Sequence, residues 1–152
     1  MKKVLFVCLG NICRSAMAEG ILSHSLQKEG LSIEVDSAGT SNYHIGSPPD
    51  ERMQNKAIEH GIDISYQSGR QFVTSDFDAF DHIFAMDESN KENILRLARN
   101  EADSKKVALF LEKFHPSLTN VPDPYYGGAQ GFEDVYQMLM VACDNFLKSL
   151  NQ

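Results

Sequence analysis

The segment that most constrains this chain is an unbroken apolar run, Val4-Leu5-Phe6-Val7-Cys8. It passes through Leu9-Gly10-Asn11-Ile12-Cys13-Arg14-Ser15 into a helical pattern. A run without polar alternation suits a central strand covered on both faces, and such strands belong to parallel sheets flanked by helices. A turn at a helix start aims successive backbone N–H groups inward, where the helix N-terminus adds positive potential. Cys8 and Arg14 stand six positions apart across that turn. The arginine can clamp two phosphate oxygens with its planar fork, and the same field favours the thiolate of Cys8. Residues Leu9, Gly10, Asn11, Ile12, Cys13, Arg14 and Ser15 are therefore expected to cradle an anion, with the thiol carrying covalent phosphoryl chemistry. A nucleotide P-loop does not fit, because the turn lacks the Gly-Lys-Ser/Thr ending that meets β- and γ-phosphates and Mg²⁺.

Short strands and helical segments alternate along the rest of the chain, the pattern of a parallel α/β sheet. The first helix carries Ala18, Ile21, Leu22 and Leu26 on one stripe and stops near Gly30. Ile33–Asp36 alternates as a half-exposed edge strand. Ser47-Pro48-Pro49-Asp50 reads as a helix start with Asp50 in capping-box position and Gly61 as the stop. His82–Met86 and Val107–Leu111 read as the third and fourth strands, with a helix over Glu88–Arg99 between them. The last helix puts Val135, Met138, Leu139, Ala142, Cys143, Phe146 and Leu150 on one face. The economical architecture is one domain over 1–152, with four strands and helices on both faces in three α/β/α layers. Ligands of such sheets bind at the carboxyl ends of the strands, and Cys8, Ser37 and Asp87 all lie on that rim.

Fourteen Lys and Arg against 21 Asp and Glu give a net charge of −7, which argues against a general nucleic-acid surface. Lys2-Lys3 precedes too short an apolar run for a secretory leader, and no run approaches the ~20 residues of a membrane span. Three cysteines without a leader point to a reducing, cytoplasmic compartment, with leaderless export left open. No membrane partner is expected.

Asp123 sits between two prolines in Val121-Pro122-Asp123-Pro124-Tyr125-Tyr126-Gly127-Gly128. The prolines stiffen the loop and keep the aspartate backbone extended. Such a loop can hold a carboxyl over a leaving-group oxygen as general acid and then general base; by itself the motif is also an ordinary Asp-Pro turn. Cys13 comes within reach of Cys8 if the loop curls around an anion. It reads either as a thiol that resolves oxidised Cys8 or as a small buried support of the loop. Ser15 can donate a hydrogen bond to the Cys8 sulfur, and Asn11 tolerates the left-handed backbone that a tight loop needs. Cys143 reads as core. The histidines His24, His44, His60, His82 and His115 are scattered without ligand spacing, and read as surface or satisfied core. No metal and no cofactor are expected.

The opening stretch VLFVCLGNICRSAMAEG resembles the low-molecular-weight protein tyrosine phosphatase family. The similarity continues through Asp36-Ser37-Ala38-Gly39, through Phe80–Asn90 and through Asp123-Pro124-Tyr125-Tyr126, and so covers almost the whole chain. It implies a sheet of order 2-1-3-4, of the Rossmann-like or flavodoxin-like kind. It also implies Cys8 as nucleophile, Arg14 as phosphate clamp, Asp123 as acid/base and Ser15 as thiolate stabiliser. Asn11 and Ser37 would hold the loop, and Leu9, Tyr43, Tyr125 and Tyr126 would wall the slot for a phenyl ring. Two departures stand out. Gln67 occupies a position where many members have a histidine tied into the loop support, and Tyr43 replaces a frequent tryptophan.

The implied reaction is attack of Cys8 on a phosphotyrosine phosphorus, protonation of the phenolate by Asp123, and hydrolysis of a cysteinyl-phosphate. Its rate optimum would be bell-shaped and mildly acidic. Partners would be phosphotyrosine-containing proteins or peptides, with inorganic phosphate as product. Exposed tyrosines near the site allow a monomer or a weak homodimer. Three alternatives are weighed against this. A thioredoxin-linked arsenate reductase needs relay cysteines that Met86–Arg99 lacks. A phosphoarginine phosphatase favours a small polar loop residue where this chain has Ile12, and a non-catalytic anion-binding module would be expected to have lost Cys8 or Asp123.

Overall fold

The computed structural model describes residues 2–150, with the side chain of Tyr126 outside that description. Four parallel strands, β1 (Lys2–Cys8), β2 (Ile33–Gly39), β3 (His82–Ala85) and β4 (Val107–Leu109), form one sheet of order β2-β1-β3-β4. The apolar run is central, as expected, and Ile33–Asp36 belongs to an edge strand that continues to Gly39. Along β1, Val4, Phe6 and Cys8 face one core and Leu5 and Val7 the other. That alternation of two buried faces is why the run needs no polar residue.

Helices α1 (Arg14–Glu29), α2 (Glu51–Glu59), α6 (Phe110–Phe114) and α7 (Gly128–Ser149) supply residues to the larger core. On the other face α3 (Asp76–Ala79) contributes Phe77 and α4 (Glu88–Leu95) contributes Ile94. The expected stripe on α7 is buried at Val135, Leu139, Ala142, Cys143 and Phe146, with Met138 and Leu150 packed at its border. Gly30 closes α1 in the left-handed conformation. Asp50 caps α2 by accepting from the backbone N–H of Arg52 and Met53. Met53 stands where a reciprocal glutamate would complete a capping box, so the cap is one-sided.

The third strand ends at Ala85, one residue before the expected Met86, and two further boundaries move. The fourth strand ends at Leu109 rather than Leu111, because the chain turns into α6 and drives Phe110 against Phe6, ring centroids 4.9 Å apart and edge to face. The helix expected over Glu88–Arg99 stops at Leu95, and α5 (Glu101–Lys105) starts anew with Asn100 accepting from the Asp103 N–H. Arg99, in the break, binds both Asp78 and Asp103. No helix among the described residues is long and apolar enough to cross a membrane.

Candidate active site

The loop between β1 and α1 is fixed by its carbonyls. Cys8 O accepts from Thr40 N at 2.9 Å, Leu9 O from Ser41 N at 2.9 Å and Ile12 O from Asp50 N at 2.7 Å. These bonds tie the loop to its surroundings, whereas the N–H groups of Leu9 through Cys13 have no protein partner among the described residues. Asn11 adopts the left-handed conformation that its residue type allows, with φ 58°. Gly39, paired with Cys8 at the strand end, lets the loop pass over it; a Cβ there would lie 2.7 Å from Leu9 O. At the start of α1, Cys13 offers no side-chain cap and the first turn has no acidic residue. Five unpartnered amides and an uncapped helix N-terminus form an anion cradle.

Beneath the cradle the side chains form a directed hydrogen-bond system. Asn11 Nδ2 donates to Ser15 Oγ and to Ser37 Oγ, both at 2.9 Å. Ser15 Oγ also meets the Cys8 sulfur at 3.0 Å, where the hydroxyl is the donor once Cys8 is a thiolate, and Ser37 donates to Glu19 Oε1 at 2.7 Å. Cys8 is 2% exposed, so its sulfur opens only to the cradle. The expected roles of Ser15, Asn11 and Ser37 therefore have contacts to support them.

Arg14 is buried, and its Nη1 donates to Asp87 Oδ2 at 2.6 Å and to Val121 O at 3.0 Å. Burial works against the guanidinium charge, but Cys8 and Asp87 outweigh it and hold its pKa above the ordinary arginine value. With Nη1 committed, the remaining N–H groups of the fork are left for an anion. Sequence reasoning placed Asp87 on the rim but gave it no role; its contact with Arg14 exists only in the folded chain. Glu19 and Tyr66 were missed altogether. The doubtful brace at Gln67 is made differently from a histidine: Gln67 Nε2 donates to Ala16 O at 3.0 Å, and the neighbouring Tyr66 hydroxyl donates to Glu19 Oε2 at 2.8 Å.

The pocket above the sulfur is lined by Cys8, Leu9, Gly10, Ile12, Cys13, Arg14, Tyr43, His44, Asp123 and Tyr125. Asp123 is thus brought to the nucleophile from the far end of the chain. Its Oδ1 accepts from Tyr125 N at 3.0 Å, which leaves Oδ2 as the oxygen available to carry a proton. Leu9, Tyr43 and Tyr125 are exposed at the mouth, and the Tyr125 hydroxyl donates to Asp50. The expected contribution of Tyr126 lies outside the described side chains. His44 is exposed, in keeping with a surface position, and it also lines this pocket and packs over Gly10, where an added Cβ would lie 2.9 Å from its ring. Cys13 is buried beside Cys8, and burial, then the charge of Cys8, push its thiol far up. No metal-ligating cluster of three or more His, Cys, Asp or Glu occurs among the described residues.

The family model described as low molecular weight phosphotyrosine protein phosphatase matches residues 3–152. A fission-yeast (Schizosaccharomyces pombe) protein of that description is 45% identical, over 97% of this chain and 96% of its own. A protein tyrosine phosphatase structure from Entamoeba histolytica, with Hepes in its active site, superposes with a TM-score of 0.93 at 40% identity. It covers 99% of this chain and 97% of its own. The structure of DARP, a Drosophila arginine phosphatase, superposes with a TM-score of 0.92 at 36% identity, covering 100% of this chain and 99% of that one. With the cradle, the buried thiol and the facing aspartate on one sheet rim, this chain belongs to the low molecular weight phosphotyrosine protein phosphatase family.

Proposed function

We propose that the chain hydrolyses phosphotyrosine in proteins or peptides, and small aryl phosphates, through a phosphate ester of Cys8. The observation that carries this reading is the convergence of the Cys8 sulfur, the free amides of residues 9–13, Arg14 and Asp123 on one pocket. The dianion sits on the amides and the Arg14 fork, which also stabilise charge on the equatorial oxygens as the reaction proceeds. The Cys8 thiolate attacks phosphorus in line, the bond to the tyrosine oxygen breaks, and Asp123 gives that oxygen its proton. Water then attacks the cysteinyl-phosphate, Asp123 takes its proton, the S–P bond breaks, and inorganic phosphate leaves with the thiolate regenerated. The Ser15 hydroxyl favours the thiolate at both ends of the cycle.

Leu9, Tyr43 and Tyr125 suit an aryl leaving group, and we include Tyr126 among these walls from its place beside Tyr125. The same reading takes Cys13 as a redox guard: a sulfenic acid formed on Cys8 by peroxide would be attacked by the Cys13 thiol, giving a disulfide and water. Three free, buried cysteines fit a reducing cytoplasmic setting. Neither a metal nor a nucleic-acid partner enters the reading.

The test compares an aryl phosphate, a phosphotyrosine peptide, phosphoarginine and arsenate on the wild-type protein and Cys8→Ser. The aryl and phosphotyrosine substrates should turn over and lose all detectable turnover in the variant. Faster turnover of phosphoarginine would give the site to the other chemistry, and activity persisting in Cys8→Ser would end the covalent mechanism.

A further inference from the structure

Glu19 is an ionisable side chain that the phosphate site does not by itself explain. It lies one turn into α1 from Ser15, is 6% exposed, and has both oxygens occupied: Oε1 by the Ser37 hydroxyl, Oε2 by that of Tyr66. From there hydrogen bonds run without a break to the nucleophile, through Ser37, Asn11 and Ser15 to the Cys8 sulfur. The directions are set by two anchors and, at the nucleophile, by the thiolate, which can only accept. At one end Arg70 N donates to Asn11 Oδ1 at 3.0 Å, so the amide must turn its Nδ2 hydrogens toward the two serines. At the other end the Glu19 carboxylate can only accept, so Ser37 must send its hydrogen there.

Tyr66 is the outermost member of this system. Its residue is 62% exposed, yet its hydroxyl reaches inward to the buried carboxylate. The approach depends on Gly20, next to Glu19 on α1. A Cβ at Gly20 would lie 2.3 Å from Ile64, so only glycine lets the Ile64–Tyr66 segment lie this close to the helix. A buried carboxylate with one oxygen unpartnered is costly, and Tyr66 is the residue that prevents this.

We propose that Tyr66 is a positioning residue for the nucleophile. Its hydroxyl holds Glu19 as an acceptor, which orients Ser37 and Asn11 and so directs the Ser15 hydroxyl at the Cys8 sulfur. The proposal rests on Cys8 being the nucleophile. Burial holds the Glu19 pKa above the ordinary carboxylate value, and the bonds from Ser37 and Tyr66 offset part of that rise, so losing either donor would favour the neutral acid further. Burial and then Glu19 push the Tyr66 hydroxyl up to about 12, which keeps it a donor throughout the working pH range. The other charges that act on Glu19 are Asp36 and Arg70. Arg14, Cys13, His44 and Asp123 share the pocket with the thiol and are retained in the variants below.

The experiment follows alkylation of Cys8 by iodoacetamide against pH, read on the Cys8 peptide, together with kcat and KM for a phosphotyrosine peptide. Tyr66→Phe keeps the ring and removes the hydroxyl; Glu19→Gln cuts the system at its centre while keeping its shape. Tyr66→Phe should slow alkylation at mildly acidic pH about 3- to 10-fold, the size of one lost hydrogen bond. The midpoint of the profile should move to higher pH, and kcat should fall by a similar factor with KM little changed. The double variant should be no worse than Glu19→Gln alone, because both act on one path. A merely structural tyrosine would lower thermal stability and leave the alkylation midpoint in place. A midpoint that coincides with wild type, or effects that multiply in the double variant, would overturn the proposal. Wild-type protein inactive on aryl phosphates would instead overturn the assignment of the reaction.

Discussion

Two regions of the same sheet rim are built in opposite ways. The cradle at residues 8–15 is held from every side: its carbonyls are tied outward, Asn11 is fixed in a left-handed conformation, and Cys8, Asn11, Arg14 and Ser15 are all buried. The loop carrying Asp123 is pinned at its base, where the buried Val121 donates to Met86 O and accepts from Arg14, while Asp123 and Tyr125 are exposed. Charge that develops in a fixed place is best met by donors that need no reorganisation. A proton donor has to meet a leaving group that enters and departs, and so belongs on the open side. Two carboxylates make the contrast concrete. Asp87 is partly buried and spent on Arg14, whereas Asp123 keeps one oxygen free.

That contrast can be broken most strongly at Asp123. Asp123→Asn should lower kcat for a phosphotyrosine peptide about 10²- to 10⁴-fold, and much less for an aryl phosphate whose leaving group needs no proton. It should also remove the fall of rate on the alkaline side, which reports loss of the acid's proton. Equal losses for good and poor leaving groups would make Asp123 structural. Asp87→Asn should cost less, about 10- to 100-fold, from the weakened charge-assisted bond to a buried guanidinium. The loss should be the same for every leaving group, because Arg14 touches phosphate and not the departing oxygen; steady-state kinetics on a leaving-group series separates the two aspartates.

The smallest effect lies away from the rim, where Glu133 on α7 accepts from Gln137, His60 and Lys56. Those bonds, Gln137 first and then His60, hold its pKa at about 2 instead of 4.5. A carboxylate with a lowered folded-state pKa stabilises above its unfolded value and ceases to do so as pH falls through the folded one. The stability difference between wild type and Glu133→Gln in urea should therefore be constant above pH 4.5 and vanish toward pH 2, with activity unaffected. A difference independent of pH would show that packing, not charge, holds this contact.

How far the sequence could be read follows the same division. The cradle was legible because strand, turn, thiol and arginine are contiguous, and local chemistry gives them one meaning. Asp123 was legible as a candidate, because two prolines mark its loop, but its meeting with Cys8 across the chain is a property of the fold. Asp87 and Glu19 were not assigned roles because nothing local marks them: one caps a helix and the other looks like a surface position on α1. Only the close approach permitted by Gly20 brings Tyr66 to it. The shift at Phe110 has a similar origin. Phe110-Leu111 continues the apolar pattern of β4, and the aromatic contacts with Phe6 and Phe84, not the local sequence, turn it into a helix.

The central claim, that a rigid cradle delivers phosphate to Cys8 while an open loop supplies the proton, is tested most directly by rapid-quench mass spectrometry during turnover of a phosphotyrosine peptide. The account predicts a phosphate on the peptide containing Cys8, absent in Cys8→Ser and formed more slowly in Asp123→Asn. Turnover at the wild-type rate with no phosphate on Cys8 at any quench time, or phosphate found on another residue, would contradict it.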